Sequence, residues 1–207
     1  MISMYLKNPM TQDSAASAPT ATATPPAAQA GGRRIQVRKS GVHGKGVFSV
    51  APLKKGEVLI EYKGEVITWK EALRRHPHDP KDPDHTFYFH VDDKHVIDAK
   101  FGGNAARWIN HACTPNCEAD EIDGRIFIKA LRAIKPGTEL FYDYGLIIDE
   151  PYTPELQKKF ECRCGTQGCR GTMLAPKDES EDKPKKKKSK SKSKAKDSKS
   201  AKSKSKH

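Results

Sequence analysis

The stretch "ARWINHACTPNC", residues 106–117, sets Asn110 and His111 beside Cys113 and Cys117, two cysteines with three residues between them. A C-x3-C pair supplies at most two corners of a tetrahedral metal site, so a metal here needs ligands from elsewhere in the chain. They stand downstream in "FECRCGTQGCRG", residues 160–171, where Cys162, Cys164 and Cys169 make a C-x-C-x4-C pattern. The interleaved Gly165, Gly168 and Gly171 free the backbone to wrap around an ion. Three thiolates plus one from residues 113–117 complete a closed structural zinc site, which keeps no open position for catalysis. The five cysteines compete for four corners, and spacing leaves open whether Cys113 or Cys117 is the fourth ligand. Either would staple the segment after residue 150 onto the Asn110–His111 region and fold it there. The plainer alternative is a loop of inert, reduced thiols.

Composition locates the charge. The chain has 207 residues and a formal net charge of +12. Residues 177–207 hold 14 Lys against 5 acids, a local +9, which leaves 12 − 9 = +3 for the rest. The positive charge is therefore a property of the tail. Residues 14–32, "SAASAPTATATPPAAQAGG", are a small-residue and proline tract with no material for a core. No apolar run approaches the roughly 20 residues of a membrane span, so no membrane partner is expected. No segment reads as a secretory signal. Without one, an odd cysteine count favours metal ligands or free thiols over a disulfide framework.

Between residues 33 and 175 short apolar or alternating runs recur: "RIQVRKS", "GVFSV", "EVLIEY", "GEVI", "TFYFHV", "HVIDA", "RIFIKAL" and "TELFYDY". Turn signals separate them, and Asp123-Gly124 between "DEI" and "RIFI" is the strongest hairpin signal. Helical signal is thin. "TWKEALRRH", 68–76, predicts one short helix with Thr68 as N-cap and Glu71 completing a capping box. "GNAARWINH" is a second candidate, and "HPHDPKDPDH", 76–85, reads as a proline-broken, exposed and mobile loop. The expected fold class is mostly β, built of short strands.

Together these residues resemble a family. "HGKGVFS" (43–49), "IEYKGEVI" (60–67), "RWINHACTPNC" (107–117), "ELFYDYG" (139–145) and "CRCGTQGCRG" (162–171) are similar, in order, to the SET-domain protein lysine methyltransferases with a cysteine-rich post-SET segment. The resemblance implies a SET-domain fold of small curved β-sheets with few short helices and a C-terminal pseudoknot. It implies a SET catalytic domain over 33–148 and a post-SET zinc segment over 149–175. Flanking them are a disordered Ala/Pro/Thr-rich tail, 1–32, and a disordered Lys/Ser-rich tail, 176–207. It further implies Cys113, Cys162, Cys164 and Cys169 as structural Zn(2+) ligands, with Cys117 spare.

The implied activity is S-adenosylmethionine-dependent methylation of a protein lysine. The methyl arrives activated by a sulfonium, so the protein must align it with a neutral amine. By resemblance, His43 and Lys45 meet the methyl donor through main-chain atoms, and Gly44 and Gly46 permit that approach. Asn110 and His111 hold its amino-acid and adenine parts, Arg107 organises the pocket, and Phe160 packs on the adenine. Phe87 belongs to the same set, at a position where many members carry tyrosine. A lysine amine with pKa near 10.4 is mostly protonated at neutral pH, and an apolar channel beside a sulfonium favours its neutral form. Tyr144 matches the catalytic tyrosine and Tyr142 the Phe/Tyr switch, which points to mono- or dimethyl products. Taken singly, each has a plainer reading: "GKG" as a turn, Asn110-His111 as a core pair, Arg107 as an ion pair, Phe89 and its neighbours as core aromatics.

The tail "KPKKKKSKSKSKAKDSKSAKSKSKH" is similar to linker-histone tails and lacks apolar residues. It is expected to bind DNA or RNA backbones without sequence preference. It is otherwise a solubilising tail, a localisation signal or the enzyme's own substrate. Histone-like or other basic proteins are the expected substrates. The compact form resembles bacterial members, hence a bacterial cytoplasm or nucleoid, with a host or eukaryotic nucleus as the other location. The rival function is a SET-fold binding or adaptor module on nucleic acid without catalysis.

Overall fold

The computed structural model describes residues 4–6, 33–76, 86–148 and 150–177. The Ala/Pro/Thr-rich tract, the Lys/Ser-rich tail and the expected 76–85 loop beyond His76 lie outside these. Among the described residues the strands run β1 (Met4–Leu6), β2 (Ile35–Lys39), β3 (Lys45–Ser49), β4 (Val58–Glu61), β5 (Glu65–Thr68), β6 (Tyr88–His90), β7 (His95–Asp98), β8 (Asn110–His111), β9 (Cys117–Ile122), β10 (Arg125–Ala130), β11 (Phe141–Tyr142) and β12 (Leu146–Ile148). Two short helices join them, α1 (Trp69–Arg75) and α2 (Pro154–Lys159), with a 3-10 turn at Ala105–Trp108. The strands form two three-stranded sheets, β4-β10-β9 and β5-β7-β6, and the pairs β2-β3, β8-β11 and β1-β12. The mostly β fold of small sheets expected from the short runs is the fold observed.

Local chemistry explains most elements. Asp123 and Gly124 take φ of +51° and +73°, as a two-residue type I′ turn requires, and β9 and β10 pair antiparallel from Ile122↔Arg125 to Cys117↔Ala130. β10 lies between β9 and β4, so Ile126, Phe127 and Ile128 are all buried and the run reads as continuously apolar. Thr68 Oγ1 accepts the Glu71 N–H at 3.3 Å, as its cap position predicts. The reciprocal half of the capping box is absent. The Glu71 carboxylate pairs with Arg74 at 2.6 Å and Arg75 at 2.8 Å, because guanidinium donors outbid a lone backbone N–H.

Two elements depart from expectation. The candidate helix over residues 103–111 is only the 3-10 turn, capped by Asn104 Oδ1 on Ala106 N–H at 3.1 Å. Beyond it Ile109 turns extended, and Asn110 and His111 join β11 instead. α2 was not anticipated, although "TPELQKK" carries its signals: Thr153 caps Leu156 N–H at 3.2 Å and Pro154 opens the first turn. β1 lies antiparallel along the edge of β12.

The main core draws on nearly every element: Val47, Ile109, Ile128, Leu140, Ile148, Phe160 and Leu174 are almost fully buried. Ile67, Ala72, Tyr88 and Val96 make a second cluster that seats α1 on the β5-β7-β6 sheet. Among the described residues no helix is long and apolar enough to cross a membrane.

Candidate active site

The site is assembled where β8 and β11 lie parallel, Asn110 opposite Phe141 and His111 opposite Tyr142. This pairing brings segments some thirty residues apart into one layer. Asn110 Nδ2 reaches the carbonyls of His43 at 3.3 Å and Lys45 at 2.9 Å and the Glu139 carboxylate at 3.0 Å, so it ties the 43–46 loop to β8. Gly46 is buried one layer behind and does not line the cavity; a Cβ there would meet Glu139 Oε1 at 2.0 Å. Its smallness makes room for the carboxylate that orients Asn110. Gly44 does line the cavity, at φ +47°.

A cavity of about 610 Å³ opens beside this layer. His43, Gly44, Lys45, Phe87, Arg107, Asn110, His111, Tyr142, Tyr144 and Phe160, every other residue singled out for the cofactor and the chemistry, line it. Arg107 donates to Ala99 O at 2.9 Å, and its guanidinium lies over the rings of Trp108 and Phe87. Its Nε is buried and meets no acceptor among the described residues. Phe87 stands edge-on to Trp108, centroids 5.1 Å apart. Phe160 ends α2 with only 2% of its surface exposed.

Tyr144 is held from two sides. Its hydroxyl donates to Ile109 O at 2.9 Å, which leaves the oxygen lone pairs as acceptors. Its backbone N–H donates to His111 Nδ1 at 3.1 Å, so the proton of the neutral imidazole sits on Nε2, facing Cys113 Sγ at 3.4 Å. Burial pushes His111 down to about 4 against the opposing pull of Asp143, so the ring is neutral at pH 7. Tyr142 packs on Tyr144 with centroids 4.9 Å apart. Tyr62 donates to Phe87 O at 3.2 Å on the same wall. Burial raises the phenols of Tyr62, Tyr142 and Tyr144 well above the usual 10, so all three stay protonated.

Next to His111, the sulfurs of Cys113, Cys162, Cys164 and Cys169 lie within 4.8 Å of one another. Cys113 Sγ is 3.6 Å from Cys162 Sγ and 3.9 Å from Cys169 Sγ. A tetrahedral zinc with bonds of about 2.3 Å has sulfur–sulfur edges of about 3.8 Å, so the four thiols fit a closed zinc site. Cys117 is not among them. It is fully buried at the start of β9, and burial pushes its thiol up to about 12.

A scan against family models matches residues 44–145 to the SET domain. Residues 44–145 are a SET domain. Its relatives are methyltransferases by name. The chain is 38% identical over 140 residues to "Histone-lysine N-methyltransferase trithorax" of Drosophila virilis, covering 66% of this chain and 4% of that protein. It is 36% identical over 155 residues to a histone H3-lysine(4) N-trimethyltransferase of Arabidopsis thaliana, covering 72% and 14%. It is 39% identical over 146 residues to a histone-lysine N-methyltransferase of Dictyostelium discoideum, covering 68% and 9%. The chain thus spans a small part of these relatives' length.

Several residues of the SET-domain site were not singled out in the sequence. Asp143 takes a bidentate pair from Arg170, 2.6 and 2.9 Å, and lies 3.4 Å from His111 Nδ1. Arg170 N–H also reaches Cys113 Sγ at 3.4 Å. Buried Asn116 donates to Glu139 O and accepts from Phe141 N–H, both at 2.8 Å, and so fixes β11. All three stand inside the quoted motifs, but nothing in their spacing marks them. Tyr62 and Trp108 also line the cavity, and only their place in the motifs hinted at it.

Proposed function

We propose that the chain is an S-adenosylmethionine-dependent protein lysine N-methyltransferase acting on histone-like or other basic proteins. The observation that carries this reading is Tyr144, a neutral phenol lining an aromatic cavity, its proton given to Ile109 O and its lone pairs unspent. SET methyltransferases use S-adenosylmethionine, which supplies a methyl group already activated by the adjoining sulfonium. The cavity's volume, its mixed backbone and aromatic lining and the orphaned Arg107 Nε fit such a ligand. His43, Gly44 and Lys45 would hold it through the main chain, with Asn110, His111, Arg107 and Phe87 around it and Phe160 as the apolar wall.

The chain's own groups then do three things. The Tyr144 oxygen accepts a hydrogen bond from the acceptor amine and turns its lone pair toward the methyl. Tyr142, Tyr62 and Phe87 exclude water and disfavour the ammonium form, so the neutral amine is the species presented. The thiolate cluster, through Cys113 to His111 and through Arg170 to Asp143, keeps the Phe160 wall and the Tyr144 backbone in register. Zn(2+) bound by Cys113, Cys162, Cys164 and Cys169 would supply structure alone.

Tyr142 leaves little room beyond the reacting methyl, and we assign mono- and dimethyl-lysine as the main products. Mass spectrometry of wild-type and Tyr142→Phe products tests this, and abundant trimethylation by wild type rejects it. The basic tail is assigned a tethering role on DNA or RNA. Gel shifts with and without residues 177–207 test it; equal affinity removes the role. The lysine-rich tail suits a nucleoid or a nucleus alike, and the substrates follow the compartment. The decisive experiment incubates purified chain and labelled S-adenosylmethionine with histones, nucleoid proteins and the chain alone, then maps sites. A catalytically silent binding module would label nothing; intact Asn110, His111 and Tyr144 argue against it.

A further inference from the structure

The +3 that remains outside the basic tail is unevenly spread. Residues 33–58 hold seven Lys and Arg against the single acid Glu57, a local +6, whereas residues 59–176 hold 16 Lys and Arg against 19 acids, a local −3. The β2-β3 hairpin and the turn after it carry this excess. Arg38, Lys39 and Lys45 stand at the hairpin's tip and Arg33, Lys54 and Lys55 at its base, and all six are exposed. The base is closed by Val50 N–H on Arg34 O at 2.8 Å, while the Arg34 guanidinium reaches Pro52 O and so draws in the 52–57 turn. Lys39 and Lys45 lie directly opposite one another in the pairing, a like-charge pair that costs the hairpin stability. Among the described residues only Arg34 of the seven pairs with a carboxylate, Glu57 at 3.1 Å. Lys45 lies over the Trp108 ring instead, at 4.6 Å.

Cations that repel one another and lack carboxylate partners are stabilised by an anionic surface. We propose that residues 33–56 are a docking face for the phosphate backbone of duplex DNA, borne by the folded domain and separate from the tail. From Ile35 to Lys39 the hairpin spans about 14 Å, a length along which a duplex presents about eight phosphate charges. Single strands are held by stacking on exposed aromatic rings, and lipid surfaces by apolar side chains set beside the cations. The exposed large apolar side chains among the described residues, Val66, Leu73 and Phe101, lie outside residues 33–56. Phe48 has the Arg38 guanidinium over its ring, 5.6 Å from the centroid. Phosphate contact without stacking or insertion is the chemistry this face offers. The face is also continuous with the site: Val42, His43, Gly44 and Lys45, at the hairpin's tip, line the cavity. Docked DNA therefore brings a protein bound to it beside the cavity mouth, where the methyltransferase reading places the acceptor lysine. The docking itself does not depend on that reading.

The test measures the affinity of the full chain, tail included, for a short DNA duplex by fluorescence anisotropy across a salt series. Each phosphate contact contributes about 0.9 to the slope of log K against log salt. The triple variant Lys39→Ala, Lys54→Ala, Lys55→Ala is expected to bind the duplex more weakly and to lose about 2 to 3 from that slope. A control triple variant, Lys63→Ala, Lys70→Ala, Lys94→Ala, removes the same charge from exposed positions of the acidic remainder and is expected to bind as wild type does. Equal slopes for wild type and the first variant overturn the proposal and leave all binding to the tail. Equal losses in the two triple variants reduce the effect to net charge and overturn it too. So does a loss confined to single-stranded DNA or to phosphatidylserine vesicles. Every readout is of binding alone, so the docking face and the methyltransferase reading fail separately.

Discussion

Tyr144 gives its hydroxyl proton to a carbonyl and keeps its lone pairs for the cavity, and this division of labour is testable at one atom. Tyr144→Phe keeps the ring packed on Tyr142 and His111 and deletes the hydroxyl, both its acceptor lone pairs and its hydrogen bond to Ile109 O. Methyl transfer should fall by about 10²-fold or more, while calorimetric affinity for S-adenosylmethionine stays close to wild type. An equal loss of both would mean that the ring, not the hydroxyl, was needed. His111 shows the same economy. Its Nδ1 accepts from Tyr144 N–H, so its Nε2 proton faces a thiol, and one neutral ring joins the four-cysteine cluster to the tyrosine. The sequence offered His111 as a ligand-holding residue. Its bridging role depends on a tautomer, and a tautomer is set by neighbours that only folding supplies.

α2 is the element whose stability reaches the site most directly. It is six residues long, too short to persist alone. Thr153 satisfies its first turn, Leu156 buries its apolar side, and Phe160 at its end forms part of the cavity wall. Thr153→Ala should cost about 1 kcal/mol, read by thermal denaturation, and should weaken S-adenosylmethionine binding more than it slows a saturated reaction. A Kd unchanged alongside a lowered Tm would detach the helix from the ligand. The elements also divide by legibility. β10 and its Asp123-Gly124 turn were plain in the sequence because local chemistry suffices for a hairpin. β8 and β12 were not, because two- and three-residue strands exist only through their partners.

At the scale of the whole molecule, the four-cysteine cluster and the buried phenols each give stability a testable dependence. Chelation of zinc should release Cys162, Cys164 and Cys169 together from Cys113, lower the Tm and abolish affinity for S-adenosylmethionine as the Phe160 wall loosens. Elemental analysis of the purified chain should find zinc, and readdition should restore binding. Alkali should act through tyrosine. Burial holds Tyr62, Tyr88, Tyr142 and Tyr144 above the ordinary value of about 10. Their contribution is complete below that pH and is lost as pH rises toward the folded values, because the unfolded chain sheds the protons first. Denaturant melts should therefore show stability falling above about pH 10. A phenolate absorbance titration should leave these four tyrosines silent until the fold gives way.

By itself the sequence determined the chemistry of this protein: the ordered SET motifs, the thiol-rich segment, the tyrosines of the cavity, and a mostly β chain of short strands. Residue type and local spacing are enough for these, since thiolates, turn glycines and alternating apolar runs act over a few residues. Spacing left the fourth sulfur open between Cys113 and Cys117; tertiary structure set Cys113 beside the other three, packed Gly46 against Glu139 and laid β1 along β12. Each of these is a matter of distance between segments remote in the chain, and such distances exist only once the β8–β11 layer and the core beneath it have closed.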